Sequence, residues 1–353
     1  MGKIILEIFL LILGFALLVK GADFFVDGAS GIAKKLKIST FIIGVTVVAV
    51  GTSAPELAVT VMDALSGSGE LIVGNILGSN IINIFLILGV SAIICKLPVE
   101  KTTRFIDLPF LILSSALFVI LGCFAGNGFL WWEGIILLAL YAAFMVYNVV
   151  LAKKQSKVML EEAPAAVTFD CAAASATEQN FLQKIKSGYE NLLNKVWFLI
   201  IITVVGLAMV VGGAQLVVTS ARFIATEVFK IPEEIVALTV VAFGTSLPEL
   251  VTSVSAARKG DVGIATGNII GSNIANLLLI GGVGALCTGA SGLAFSTEGL
   301  VSGLVSLFAA LLLFGSCWGK SKSVTRIAGV ILLACLVAYY VFVFLNLFIF
   351  HIY

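Results

Sequence analysis

Gly51-Thr52-Ser53-Ala54-Pro55-Glu56 recurs later in the chain as Gly244-Thr245-Ser246-Leu247-Pro248-Glu249. Each copy lies inside an apolar run long enough to cross a bilayer. Residues 41–62 carry no charge except Glu56, and residues 235–257 carry none except Glu249. A carboxylate in the hydrocarbon core costs at least about 2.5 kcal/mol, so it has a partner or a function. No Lys, Arg or His stands at the same depth in either run to pair with it. The proline before each glutamate lacks an N–H and interrupts a helix, freeing carbonyl oxygen in the turn before it. Threonine and serine add hydroxyl oxygens. Oxygen ligands and one negative charge per copy suit a hard cation.

The second shared motif strengthens the first. Gly74-Asn75-Ile76-Leu77-Gly78-Ser79-Asn80-Ile81-Ile82-Asn83 matches Gly267-Asn268-Ile269-Ile270-Gly271-Ser272-Asn273-Ile274-Ala275-Asn276 in the same register as the first pair. Duplication for structure alone preserves an apolar pattern, whereas here the polar residues are the ones repeated. On a helix, Asn75, Ser79 and Asn83 share one face, and so do Asn268, Ser272 and Asn276. Such groups must be satisfied inside a bundle and not against lipid. Asn75, Gly78, Asn268 and Gly271 read as helix–helix contacts. Ser79, Asn83, Ser272 and Asn276 read as ion contacts.

Composition sets the class. The chain has 353 residues, 60% hydrophobic and 12% charged, with a mean hydropathy of +1.15, which is the balance of a polytopic helical membrane protein. Its net charge of +1 gives no reason to expect nucleic acid as a partner. The single histidine, His351, lies at the C-terminus, and there is no H-E-x-x-H or nucleotide motif, so an embedded enzyme has little to work with. The sequence implies no cofactor.

Ten spans are expected, at about 4–22, 40–62, 71–94, 105–125, 130–151, 196–219, 235–257, 262–287, 295–317 and 326–350. The fold class is thus all-α, with ten transmembrane helices arranged as two repeats of five, residues 1–151 and 196–353, joined by a polar linker at 152–195. Five spans per repeat is an odd number, so the second repeat inserts upside down, an arrangement that places a transport site at the midplane where the repeats meet. Alternating the loops puts all but Lys3, Arg222 and Lys230 of the 21 basic residues on one side. That side is the cytoplasm of a cell (inner) membrane; the linker then lies inside and both termini outside.

These residues resemble the α-repeats of the cation/Ca2+ exchanger superfamily, and most of all its prokaryotic sodium/calcium exchangers. The resemblance covers all ten spans and leaves out only the linker. It implies a secondary antiporter that exchanges Na+ for Ca2+ by alternating access, with spans one and six moving across a fixed core and a monomer sufficient for transport. It implies Ca2+ binding by Glu56, Glu249, Thr52 and Thr245. It implies Na+ sites lined by Ser53, Ser246, Ser79 and Ser272, completed by the carbonyls of Ala49 and Ala242 and sharing Thr52, Thr245, Glu56 and Glu249. Asn83 and Asn276 face the centre. Some relatives, the potassium-dependent ones among them, have Asp where this chain has Asn276, which argues against a K+ requirement here.

Charge arithmetic agrees with exchange. Two carboxylates are neutralised by one Ca2+ or by two Na+, so the two loads compete, and any further Na+ makes the cycle electrogenic. H+-coupled or K+-dependent cation antiport and, less well, a cation channel are the alternatives. Gly14, Gly21, Gly206, Gly212 and Gly213 give spans one and six small faces suited to sliding.

Overall fold

A computed structural model describes residues 2–66, 70–124, 128–161, 192–193, 195–230, 242–289, 292–318 and 322–345. It is helical throughout, apart from four two-residue strands among the described residues. Eight described helices are long and apolar enough to cross a membrane, or nine if one bent pair is a single span.

The first helix, α1 (Gly2–Leu36), runs well beyond the expected 4–22. Packing sustains it there, since its buried face continues past Lys20 through Gly21, Ala22, Phe25, Val26, Ala29 and Ala33. Next come α2 (Thr40–Thr52) and α3 (Ala54–Ser66), bent by 42° at Ser53. The sequence explains the bend, since Pro55 sits in the first turn of α3, where its missing N–H costs nothing, but cannot continue α2. Then follow α4 (Leu71–Ile94), α5 (Thr103–Cys123) and α6 (Trp131–Glu161). Helix α6 carries the backbone about three turns into the stretch read as linker. The second half has α7 (Val196–Val228), α8 (Ala242–Thr245), α9 (Leu247–Lys259), α10 (Val262–Cys287), α11 (Thr297–Ser316) and α12 (Arg326–Leu345). Residues 235–241 of the expected seventh span, linker residues 162–191 and 194, and the last residues of the tenth span lie outside the described residues.

Helices α4 and α10 are the centre, with 78% and 83% of their apolar windows buried, against 11% for α1 and for α12. The reason is in their composition. They carry the Asn and Ser side chains that lipid cannot satisfy, and α10 adds glycines that let backbones approach; Gly78 of α4, expected to be a helix contact like Gly271, has no atom within 4 Å of its would-be Cβ. Gly267 and Gly271 of α10 press on α2 so closely that a Cβ would stand 2.5 Å from the Phe41 carbonyl oxygen and 2.6 Å from that of Val45.

The glycines of α1 and α7 have a different role from the one expected. Gly14 and Gly213 face one another, as do Gly21 and Gly206, with Gly28 against Thr203. The small faces therefore join α1 to α7 and are not the surface on which the pair meets the core. Gly212 takes no part, having no atom within 4 Å of its would-be Cβ. Leu18, Ala22, Val210, Ala214, Val217 and Leu247 form an apolar cluster of their own beside the main core. At one end, polar contacts tie the pair to α9 and α10. Lys259 meets Asp27 at 2.7 Å, Ser255 donates to Asp23 at 2.7 Å, and Ser30 donates to Asp261 at 2.9 Å.

Two antiparallel ribbons clip the loops. β1 (Leu97–Pro98) pairs with β4 (Ser323–Val324), and β2 (Gly128–Phe129) pairs with β3 (Leu293–Ala294). In each ribbon the two loops are ones that the alternation of spans puts on the same side of the membrane.

Candidate ion-binding site

The two G-T-S-x-P-E stretches adopt the same local shape. Ser53 has φ −83° and ψ 9°, and Ser246 has φ −84° and ψ 2°, both in the sparsely occupied region between helix and extended backbone. A new helix starts after each serine, with its glutamate in the first turn. Glu56 and Glu249 are each only 1% exposed. The unpaired N–H groups of a helix N-terminus favour a carboxylate there even before any ion arrives.

Side chains cross between the two halves. Ser53 donates to Oε1 of Glu249 at 2.9 Å, and Ser272 reaches the same oxygen at 3.5 Å. Thr52 donates to Asn268 at 3.0 Å, and Thr245 to Asn75 at 3.5 Å. Asn268 in turn donates to Ser253 at 2.9 Å and to the Glu249 carbonyl at 3.5 Å; Asn75 donates to the Glu56 carbonyl at 3.5 Å. Asn75 and Asn268 are thus engaged in holding the breaks in place, in keeping with the reading of these two asparagines as helix contacts. The carbonyl of Ala49 accepts from the Ser53 N–H at 3.0 Å, so an ion there would share an oxygen already hydrogen-bonded. Ala242 opens α8.

Asn83 and Asn276 each begin a π-helical turn, Asn83–Leu88 and Asn276–Ile280. Such turns widen a helix by one residue and recur at functional sites. Glu56 Oε2, Glu249 Oε2, Ser79 Oγ, Ser246 Oγ, Asn83 Oδ1 and Asn276 Oδ1 are all buried without a hydrogen-bond partner in the protein. Among the described residues neither glutamate forms an ion pair, and no group of three or more His, Cys, Asp or Glu collects anywhere. The chemistry on offer is two carboxylates and neutral hard oxygens, which suits Na+ or Ca2+ and not a soft or nitrogen-seeking metal.

The structure brings most of the expected residues together and adds two that the sequence reading passed over, Asn80 and Asn273. They are fully buried at the contact of α4 with α10, and each donates to the other's backbone carbonyl. Their signal in the sequence was direct: both copies of the motif have Asn immediately after the serine.

The chain is similar along most of its length to known proteins. The profile of the family described as Sodium/calcium exchanger protein matches residues 6–150 and 198–345. A putative antiporter, CaxA, of Alkalimonas amylolytica is 36% identical over 95% of this chain and 98% of its own. The sodium/calcium exchanger MaX1 of Methanosarcina acetivorans is 35% identical over 95% of this chain and 97% of its own. Solved structures of the sodium-calcium exchanger NCX_Mj superpose with a TM-score of 0.77 at 31% identity, covering 96% of this chain and 99% of that one.

Proposed function

The chain belongs to the sodium/calcium exchanger protein family, and on that premise we propose that it exchanges Na+ for Ca2+ across the cell membrane, electrogenically and without K+. It is an integral membrane cation antiporter and not an enzyme. The observation that carries the finer reading is the pair of buried carboxylates, Glu56 and Glu249, surrounded by unpartnered hydroxyl and amide oxygens and, among the described residues, forming no ion pair with a basic group.

In this reading one Ca2+ takes both glutamates together with oxygens of Thr52 and Thr245. The Na+ ions distribute over Ala49, Ser53, Ser79 and Asn83 on one side and Ala242, Ser246, Ser272 and Asn276 on the other, sharing the same glutamates and threonines. Two Na+ balance the charge of two carboxylates. A third leaves the loaded site with one positive charge, whose passage is worth about 2.3 kcal/mol per 100 mV. Because both loads need the same carboxylate oxygens, neither binds well until the other has left, which is the condition for exchange in place of leak.

The ten spans form two inverted repeats of five, and alternating access comes from α1 and α7 moving together past the rest. Their close glycine-to-glycine contact supports treating them as one body. Both termini face outward and the loop after α6 faces the cytoplasm, a reading that the distribution of basic residues supports.

The test is Ca2+ uptake into proteoliposomes driven by an outward Na+ gradient. Uptake should be accelerated by a potential that draws the countermoving charge outward, be indifferent to K+, and show counterflow. Uptake that requires K+, or that runs on a pH gradient in the absence of Na+, would assign the chain to another coupling.

A further inference from the structure

Four asparagines meet where α4 crosses α10, and we infer that Asn80 and Asn273 are positioning residues that determine which atom Asn83 and Asn276 present to the ions. The inference rests on the ion-binding reading above and deepens it. Asn80 Nδ2 donates to the backbone carbonyl of Asn273 at 3.2 Å, and Asn273 Nδ2 donates to that of Asn80 at 3.5 Å, across a sequence separation of 193. A backbone carbonyl only accepts, so each of these amides must turn its NH2 group toward it. The orientation of a buried amide is otherwise decided by its network, and here two backbone atoms decide it.

The rest follows by elimination. With their NH2 groups committed, Asn80 and Asn273 face the other way with oxygen. Each oxygen needs a donor. Asn276 Nδ2 supplies one to Asn80 Oδ1 at 3.1 Å, and Asn83 Nδ2 supplies one to Asn273 Oδ1 at 3.0 Å. Each of these NH2 groups is therefore turned toward its neighbouring asparagine, and Oδ1 of Asn83 and of Asn276, on the opposite side of the amide, is buried with no protein partner. One turn earlier on the same faces stand Ser79 and Ser272, and Ser272 reaches Glu249. The amide chain therefore turns two carbonyl oxygens, in place of the NH2 groups, toward the carboxylate-lined centre. A reversed amide would offer a cation a donor and remove a ligand. Without Asn80, nothing in this network holds Asn276 one way round.

A double-substitution cycle tests this. Asn80→Ala frees Asn276 to turn, and the half-saturating Ca2+ concentration should rise on the order of tenfold, the scale of one interaction with a charged group. Aspartate at 276 carries acceptor oxygens on both sides and needs no orienting partner. In the Asn80→Ala background, Asn276→Asp should therefore restore Ca2+ affinity to within about threefold of the Asn276→Asp single variant, a coupling and not an addition. The same cycle with Asn273→Ala and Asn83→Asp provides an independent pair should the first variant fail to fold. Binding of Ca2+ alone to the detergent-solubilised full chain, beside its melting temperature, gives the readout. Additive losses in both cycles overturn the orienting role, since a merely structural asparagine gains nothing from aspartate at its neighbour. The Glu249→Gln protein separates the two levels. If it binds Ca2+ as the wild type does, the ion-site reading fails and the positioning role with it; if it does not bind and the cycles are additive, only the positioning role fails.

Discussion

As the proposed ion ligands, Glu56 and Glu249 work against the fold and in favour of the ion. Each is a carboxylate taken out of water with no cation of the protein paired to it among the described residues, and removing a charge of that kind relieves the structure. Glu56→Gln and Glu249→Gln should accordingly weaken Ca2+ binding at least about a hundredfold, given that a charge pair near 4 Å is worth about 4 kcal/mol at an effective dielectric of 20. The same variants should melt no lower, and in the absence of ions somewhat higher, than the wild type. Parallel Ca2+-binding and thermal-shift measurements check both halves; a variant that loses binding and also melts much lower would make the glutamates structural. Asn276 belongs to the same scale. In the wild type its amide donates to Asn80 and leaves one neutral oxygen for the site. Asn276→Asp adds a third negative charge, and repulsion among three carboxylates calls for a proton or an extra monovalent cation. Exchange by this variant should depend on K+ or change between about pH 6 and pH 8 more steeply than wild-type exchange, which should ignore K+. Initial uptake rates with and without K+ at the two pH values decide it.

At the scale of elements, the small residues have two separate tasks. On α10, Gly267 and Gly271 bring the backbone against α2, and this contact places the Ser53 break beside α10. On α1 and α7 the glycines fasten two long helices to each other. A Cβ at Gly21 would lie 2.7 Å from the Met209 Cβ, and one at Gly206 would lie 2.5 Å from the Phe25 nitrogen. Gly21→Val and Gly206→Val should each destabilise by about 1–3 kcal/mol through overpacking and slow transport. Gly212→Ala, with open space around it, should be neutral or slightly stabilising by the helix preference of alanine. Melting temperature and uptake rate across the three variants measure this; a fall at Gly212 equal to that at Gly206 would show that the contact between α1 and α7 is not what matters.

The whole molecule separates a polar centre from its covering. The residues assigned to ions come from 49–83 and 242–276, and the family profile leaves out 151–197. Removal of residues 162–178, in an Ala-rich part of the link between the halves, should leave Na+-driven Ca2+ uptake within about twofold of wild type, because such segments tolerate change. Loss of exchange by a correctly inserted deletion protein would make the link part of the mechanism. The contacts of Lys259 with Asp23 and Asp27 also belong to this scale. They are partly exposed, with side chains 27–38% accessible, and so contribute little stability, but they join the α1–α7 pair to the core at one end.

By itself the sequence determined that the protein is a helical membrane protein, where nearly every described span lies, and that Glu56 and Glu249 are lone carboxylates within two of those spans. Hydropathy and charge placement are local properties, and a bilayer makes them decisive, because an apolar run of sufficient length has no better place to go and a lone carboxylate within it cannot be incidental. Helix ends were less legible: α1 continues to Leu36 and α6 to Glu161, since a helix outlasts its hydrophobic stretch wherever neighbours or propensity sustain it. What only the tertiary structure decided was pairing. The sequence shows Gly14, Gly21, Gly206 and Gly213 as small residues on two helices, and only their packing reveals that they face each other and not the core. It shows Asn80 and Asn273 as polar residues to be satisfied, and only the crossing of α4 with α10 reveals that each is satisfied by the other's backbone. Spacing within a helix is encoded by neighbours in the chain, but the partner across a helix crossing is set by how whole faces fit together.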